Sequence, residues 1–361
     1  MTSRAHKIRL YPSKTQEQIL RKTVGVCRYA YNWGLDTWNK LYESGEGCDK
    51  YTLSRLWTSN RPDWAKEVSS VSVQHAVLKV GVAFSNFFQK RAKHPTFRKK
   101  GRSDSFYVSN QAMKMSGSRI YLPKAGYVKM AEPLRYEDCE ISSCVVSLKA
   151  GKWYVSVQVE ILDDTRTTST SVVGVDLGIK HWAVASDGTV CDSPKSLKHY
   201  ERQLKRKQRL LARKAKGSKR REKARLQVAK AYQKIQNIKL DTIHKFTSTI
   251  AKNHGVVVVE DLDVKSMQES ENKYLRKGVQ NSAMFEIKRQ LLYKCNNHVK
   301  VDRYYPSSKT CSNCGNVKET LALSDRSYQC HSCGFTIDRD LNAALNLRSK
   351  GLEIISGRSD R

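Results

Sequence analysis

Three acidic residues sit where an ionised carboxylate is costly unless something compensates it. Asp176 lies inside the apolar run Val172-Val-Gly-Val-Asp-Leu-Gly, between Gly174 and Gly178. Glu260 closes the four-valine run Val256–Val259, and Asp340 stands at the start of the helix expected over Leu341–Arg348. A carboxylate held in an apolar strand must be paired or bind a cation. Two strand-borne acids and one helix-borne acid can converge at the edge of one sheet. Hard oxygen ligands of this kind suit Mg²⁺ or Mn²⁺. A pair of such ions roughly 3.5–4 Å apart activates water and stabilises the leaving oxygen of a phosphodiester. Taken singly, the same residues also read as a turn residue, a strand end and a helix cap. Asp338 competes with Asp340 for the third position, and Asp261 and Asp263 are weaker candidates beside Glu260.

A second constellation is more specific. Cys311 and Cys314, then Cys330 and Cys333, form two Cys-x-x-Cys pairs fifteen residues apart, each closed by a glycine, Gly315 or Gly334. This is the spacing of a four-thiolate Zn²⁺ site. A site with four protein ligands has no open position, so the zinc is expected to stabilise a β-ribbon rather than to do chemistry. His331, between two of the thiols, reads as a bystander. Asp340 follows the last cysteine by seven residues, which makes the knuckle a scaffold for the acid.

The charge balance points to the partner. With 66 Lys and Arg against 34 Asp and Glu, the formal net charge of the 361 residues is +32. Such a chain repels itself unless a polyanion neutralises it, and nucleic acid with salt-sensitive binding is the expected partner. The basic helical stretch Ser196–Arg225 has two acids, Glu201 and Glu222, to pair within it. Lys205, Arg206, Arg209, Arg220 and Arg221 are therefore read as phosphate contacts. The loop 90–102 is also basic. Six further cysteines are scattered without framework spacing, as expected for a reducing compartment. No apolar signal core and no run of eighteen apolar residues is present. A cytoplasmic, nucleoid-associated setting of prokaryotic type is expected, with no membrane partner.

The elements that must position these groups follow from periodicity. Residues 5–12 alternate as a strand ending at Pro12, and Thr15 starts a helix carrying Ile19, Leu20, Val24, Cys27, Tyr31 and Leu35. Its aromatic residues, Tyr29 to Tyr42, read as packing rather than base stacking. A helix over Ser70–Arg91 has the stripe Val73, Val77, Val80, Phe84, Phe87 and Phe88, leaving Ser70, Gln74 and Lys79 off it. Short strands over 105–159 indicate a small barrel into which the helices of 15–91 are inserted. Asp163–Thr170 reads as the domain linker. Beyond it come a strand, a hairpin turn and a strand from Val172, the long helical stretch, the valine strand, a loop-like 268–282, a helix Ala283–Asn297 and a strand Val299–Tyr304.

At these residues the sequence resembles the TnpB family of transposon-encoded, RNA-guided DNA nucleases, relatives of the type V CRISPR effectors. The resemblance rests on Gly174-Val-Asp-Leu-Gly-Ile, Val258-Val-Glu-Asp-Leu, Tyr305-Pro-Ser-Ser-Lys-Thr-Cys-Ser-Asn-Cys-Gly and Asp338-Arg-Asp-Leu-Asn-Ala-Ala-Leu-Asn-Leu. It implies an α/β, RNase H-like (RuvC) nuclease domain over 171–300 and 335–350, with a Cys₄ zinc ribbon at 301–334 inserted in it. It implies an N-terminal wedge-like β-barrel, 1–14 and 92–165, with a helical recognition domain inserted at 15–91, and residues 351–361 are left as a flexible tail. It further implies Asp176, Glu260 and Asp340 as the three metal ligands, and an endonuclease guided by RNA from the transposon end. Target duplex DNA would be read first at a short motif, with Ser70, Gln74, Ser109 and Asn110 as candidate readers. The resemblance also implies a separate transposase encoded by the same element as a further partner. The alternative is an RNA-guided repressor or accessory regulator that binds without cutting; the presence of all three acids argues against it.

Overall fold

The computed structural model describes residues 2–162, 169–322 and 325–359. Its contacts divide the chain into two compact units, 1–163 and 164–361. The expected linker falls at this division, and its residues 163–168 lie outside the described residues. Among the described residues no helix is long and apolar enough to cross a membrane.

The first unit begins with β1 (Thr2–Tyr11), which turns His6, Ile8 and Leu10 inward at alternate positions. Ser13 then caps α1 (Lys14–Glu43) through a reciprocal box with Gln16, which satisfies two of the backbone donors that a helix start leaves open. One face of α1 buries Leu20, Val24, Cys27, Tyr31, Leu35 and Trp38. It packs on α3 (Ser70–Phe88), where Trp38 stacks on Phe84 with ring centroids 4.4 Å apart. An unexpected helix, α2 (Lys50–Asn60), lies between them and sets Trp57 against Trp33. Packing thus accounts for Tyr31, Trp33 and Trp38, whereas Tyr42 is exposed.

The strands that follow are β2 (Ser105–Ser109), β3 (Lys114–Ser116), β4 (Arg119–Leu122), β5 (Gly126–Met130), β6 (Glu140–Lys149) and β7 (Lys152–Ile161). With β1 they form one seven-stranded sheet in the order β2-β6-β7-β1-β5-β4-β3. A barrel requires its edge strands to pair. Here β2 and β3 remain separate edges, so the expected small barrel is instead an open sheet. β1 joins the two parts of the sheet: it pairs with β7 from Thr2 to Leu10 and meets β5 only through Leu10 and Tyr11.

The second unit is built on a five-stranded sheet in the order β10-β9-β8-β11-β12. Its strands are β8 (Val172–Asp176), β9 (His181–Ala185), β10 (Val190–Asp192), β11 (Val256–Glu260) and β12 (Asn297–Val301). β8, β11 and β12 run parallel, and the β9–β10 hairpin adds antiparallel strands at one edge. A parallel strand covered on both faces needs an unbroken apolar run, which is why Val257, Val258 and Val259 are all fully buried. Val173, Val175, Val257 and Val259 face the helices α5 (Lys219–Asn253) and α8 (Met284–Lys294). The other face meets α9 (Arg339–Ser359), through Val258, Val299, Val301 and Leu347.

Several elements differ from expectation. The basic stretch is two helices, α4 (Ser196–Ala212) and α5, separated at Gly217 with φ +83°. Residues 268–282 are not loop-like but hold the end of α6 (Val264–Glu269) and all of α7 (Lys273–Ser282). The flexible tail expected from residue 351 is instead the continuation of α9 to Ser359, because Gly351 is buried against Val258. A two-stranded ribbon, β13 (Ser327–Gln329) with β14 (Thr336–Asp338), precedes α9 directly.

The approach of α9 to the sheet depends on two glycines. A Cβ on Gly174 would lie 2.1 Å from the Ala344 carbonyl oxygen and 2.5 Å from the Arg348 nitrogen, and one on Gly351 would lie 2.3 Å from a Val258 methyl. Gly174→Ala is therefore expected to destabilise the protein by roughly 1–3 kcal/mol through overpacking. Gly357→Ala, on the same helix with nothing within 4 Å of its Cβ position, is expected to stabilise by up to about 1 kcal/mol through helix propensity. Chemical denaturation of the two variants measures both signs.

Candidate functional site

The register of the parallel strands brings the first two acids together. Val259 pairs with Val175 between β11 and β8, so Glu260 and Asp176 follow side by side at the carboxyl ends of neighbouring strands. Such strands lie about 4.8 Å apart, and both residues share the face of Gly174 and Val258, which α9 covers. The third acid arrives from α9. Its backbone rests on Gly174 at Ala344; Asp340 is one turn earlier on that helix, and Asp176 is two residues further along that strand. Each step moves toward the same end of the sheet.

The electrostatics agree with the placement. Burial first, then the charges of Asp340 and Glu260, pushes the Asp176 carboxyl up to about 7, against an opposing pull from Arg339. Burial likewise pushes Glu260 up to about 7, with Lys288 opposing and Asp302 adding. The neighbouring acids have other tasks. The Asp338 carboxylate accepts from the Asp340 and Leu341 backbone nitrogens at 2.9 and 3.1 Å, which makes it the cap of α9 and leaves Asp340 uncommitted to that role. Asp261 accepts from Lys288 Nζ at 2.9 Å, and Asp263 caps α6 by accepting from the Ser266 nitrogen at 3.1 Å. The donor set of Asp176, Glu260 and Asp340 is all oxygen and shares little positive charge, which fits a hard divalent cation. The three do not form as tight a group as the thiols do among the described residues.

The four cysteines are drawn together from two knuckles. All four Sγ atoms lie within 4.8 Å of one another. Cys311 and Cys333 Sγ are 3.7 Å apart, and Cys314 and Cys330 Sγ are 3.6 Å apart. Four sulfurs held about 2.3 Å from one zinc in a tetrahedron have edges of roughly 3.8 Å, so the cluster fits Zn²⁺ without rearrangement. Each knuckle is closed by a glycine in the left-handed region, Gly315 at φ +77° and Gly334 at φ +73°. The Phe335 nitrogen and the Asn313 amide pull Cys333 down to about 6, whereas the neighbouring sulfurs push Cys314 up to about 12, as thiols that share protons without a metal do.

The cluster is fastened to α9 by two buried asparagines. Asn342 donates to the Thr310 carbonyl at 2.7 Å and accepts from the Ser312 nitrogen at 3.0 Å. Asn346 donates to the Ser307 and Thr310 carbonyls at 2.8 and 2.6 Å. Arg339 reaches back to the Ala322 carbonyl at 2.9 Å. Thiols and acid therefore share one rigid body.

Comparison with known proteins bears on this arrangement. Residues 154–271 match a family model described as "Probable transposase" (OrfB_IS605), and residues 285–347 match a "Cas12f1-like, TNB domain". The chain is 32% identical over 98% of its length to a protein of Escherichia coli (strain K12) named "Putative RNA-guided DNA endonuclease InsQ", covering 93% of that protein. It is 34% identical over 97% of its length to a "Putative RNA-guided DNA endonuclease" of Streptomyces pristinaespiralis, covering 89% of it. The chain belongs to the OrfB/IS605 (TnpB) family. Its fold is also that of a Cas12f1 chain solved with its guide RNA and target DNA, with TM-score 0.59 at 14% identity, covering 96% of this chain and 98% of that one. A third match, "Helix-turn-helix domain" over residues 1–47, covers a strand and one unbroken helix in this TnpB-family chain.

The remaining candidates fall in two groups. In the first unit, Ser70 and Gln74 are exposed on α3, and Gln74 donates to Ser54 Oγ at 2.9 Å. Ser109 ends β2, half-buried, with exposed Asn110 next to it. The two elements are joined where Ser72 donates to the Tyr107 carbonyl at 2.6 Å and His75 stacks on Tyr107 at 3.9 Å. In the second unit, Lys205, Arg206, Arg209 and Arg220 are exposed on the α4–α5 hairpin. Arg221 is engaged differently: its guanidinium donates to the Leu211 and Lys214 carbonyls at 3.0 and 2.7 Å, closing the end of α4.

Sequence reasoning passed over Gly351, Asn342, Asn346 and Lys288 as positioning residues. The asparagines carried a signal, being polar at positions four residues apart on a helix face that must be buried.

Two expectations follow from the two clusters. The raised carboxyls mean that the folded state holds protons more tightly than the unfolded chain, so their stabilising contribution is lost as pH rises from about 4 through about 7. Metal-free Asp176→Asn should exceed the metal-free parent in Tm by about 3 °C or more at pH 8, with the gap shrinking toward pH 5. Mg²⁺ or Mn²⁺ should raise the parent's Tm at pH 8 and have little effect on the variant. The purified chain should hold about one zinc per chain. Its removal by chelation, or Cys330→Ser, should deprotect the backbone amides of 339–347 in hydrogen exchange; unchanged protection there would separate the cysteine cluster from α9.

Proposed function

We propose that this chain is an RNA-guided DNA endonuclease that hydrolyses phosphodiesters at Asp176, Glu260 and Asp340. The observation that carries the reading is the convergence of these three acids, two by strand register and one by the seating of α9 on Gly174. A site made for binding alone has no use for half-buried carboxyls whose mutual repulsion must be relieved. Mg²⁺ or Mn²⁺ held by the three carboxylates supplies charge stabilisation to a developing oxyanion and lowers the pKa of water. The chain's own part is positional. β8 and β11 fix two of the carboxylates, α9 brings the third, and Asp338 keeps the helix start in place. The zinc knuckle holds α9 through Asn342 and Asn346 and takes no part in the chemistry.

The partners follow from charge and kinship. A net charge of +32 supports a long polyanionic partner, and curated relatives aligned over nearly their whole length are named RNA-guided DNA endonucleases. In this reading a guide RNA from the transposon end pairs with target DNA, the exposed Lys205, Arg206, Arg209 and Arg220 contact phosphates, and Ser70, Gln74, Ser109 and Asn110 read the short duplex motif. Specificity lies in base pairing while the protein holds the backbone. Strand joining during transposition belongs to a separate protein of the same element, and the setting is cytoplasmic and nucleoid-associated.

Asp176→Ala and Asp340→Ala should retain binding of guide RNA and target DNA while cleavage falls by about a thousandfold, the scale of losing several kcal/mol of charge stabilisation. A gel assay with Mg²⁺ and the RNA that copurifies with the chain measures both properties. Retained cleavage overturns the triad. Intact parent protein that binds target but does not cut it supports the repressor reading, and RNA-independent strand-transfer products support a transposase.

A further inference from the structure

The strand next to Glu260 ends in an unusual presentation. Glu260 pairs with Val301 between β11 and β12, and the ladder extends one step as the Asp261 nitrogen donates to the Val301 carbonyl at 2.9 Å. Asp302, Arg303 and Tyr304 therefore leave the sheet at the edge where Asp176 and Glu260 lie. Tyr304 is 85% exposed, more than any other large hydrophobic side chain among the described residues. Its backbone is held: the Tyr304 nitrogen donates to Asp302 Oδ1 at 2.8 Å, and the Tyr305 nitrogen to the Asp302 carbonyl at 3.1 Å. Tyr305 goes the other way and packs against the core under α9. Adjacent tyrosines thus divide, one anchoring the turn and one standing in solvent.

Charged neighbours flank the same strand ends. Lys288 of α8 bonds Asp261, the neighbour of Glu260. Arg303, beside Tyr304, has Asp263 Oδ2 at 4.0 Å as its acidic neighbour. An exposed ring and a guanidinium at the strand ends that carry the acids match the chemistry of a nucleic-acid strand: a π-face for a base and a cation for phosphate.

We propose that Tyr304 is a base-stacking platform for the DNA nucleotide adjoining the scissile phosphate, a subsite that draws single-stranded DNA across the carboxylates. The inference rests on the endonuclease reading above and adds to it how the strand is seated. Stacking is tolerant of base identity, which suits a nuclease whose sequence is set elsewhere. It requires an unpaired base, so the platform favours single strands over intact duplex at the acids. The Tyr304 hydroxyl has no part in this, because the ring face makes the contact.

The test uses the full chain loaded with its guide RNA. Tyr304→Ala should raise the concentration of single-stranded DNA needed for half-maximal cleavage by about 5- to 100-fold, the range for loss of one base–aromatic stack, with the saturated rate nearly kept. Tyr304→Phe should behave as the parent. An abasic nucleotide next to the scissile phosphate should cost the parent as much as Tyr304→Ala does, and cost Tyr304→Ala nothing further. Independently of cleavage, 2-aminopurine at that nucleotide should be quenched on binding to Asp176→Ala and not to the Asp176→Ala, Tyr304→Ala double variant. Tyr304→Phe as impaired as Tyr304→Ala would assign the role to the hydroxyl and overturn the platform. So would parent-like cleavage by Tyr304→Ala or additive losses. A parent chain that binds DNA and never cuts it overturns the endonuclease reading, and there the quenching result decides the platform alone.

Discussion

The seating of α9 on Gly174 is the constraint on which the second unit depends. A helix backbone in contact with a strand backbone is possible only where a residue has no side chain. At this point the missing Cβ leaves room for the Ala344 carbonyl. Because α9 is a rigid rod, one fixed contact and a second at Gly351 against Val258 determine where its first turn lies. The position of Asp340 is thus a consequence of contacts four and eleven residues away along the helix, Ala344 on Gly174 and Gly351 on Val258, rather than of any bond that its own side chain makes.

What this geometry assembles is unfavourable by itself. Asp176 and Glu260 are taken partly out of water and set against like charge, and their protons are held to about 7. The protein supports the arrangement with apolar burial on both sides of the sheet, with Lys288 and Arg339 at the margins, and with a cysteine cluster that locks the approach of α9. Stability is placed in the scaffold so that it can be withheld from the acids. This division explains why four thiols lie so near a site in which they do no chemistry.

Much of this was legible in the residues. The cysteine spacing and the three acids in apolar or helix-start contexts give both clusters, because metal ligation and carboxylate burial restrict local sequence strongly. The sheet of the second unit follows from its valine runs. The first unit was read less well: short strands fit a barrel or an open sheet equally, and the outcome hangs on whether the edge strands β2 and β3 pair, which no local pattern states. α7 was missed because its sequence is polar; Val279 is a buried apolar anchor among its described residues. The end of α9 was missed because glycine is a poor helix former, whereas Gly351 lets the helix close on Val258. The choice between Asp338 and Asp340 rested on the periodicity of the helix start; the hydrogen bonds show the cap to be Asp338.

The direct passage from β14 through Asp338 into α9 leaves no slack between the last knuckle and the helix. Each helical residue turns the chain by about 100°, so one residue gained or lost between Asp340 and Ala344 would rotate the acid away from the sheet while every hydrogen bond of the ribbon and of the later helix survived. Length in this segment is therefore quantised. The loop between the two knuckles meets the helix at Arg339, through the Ala322 carbonyl, and its length sets no helical phase.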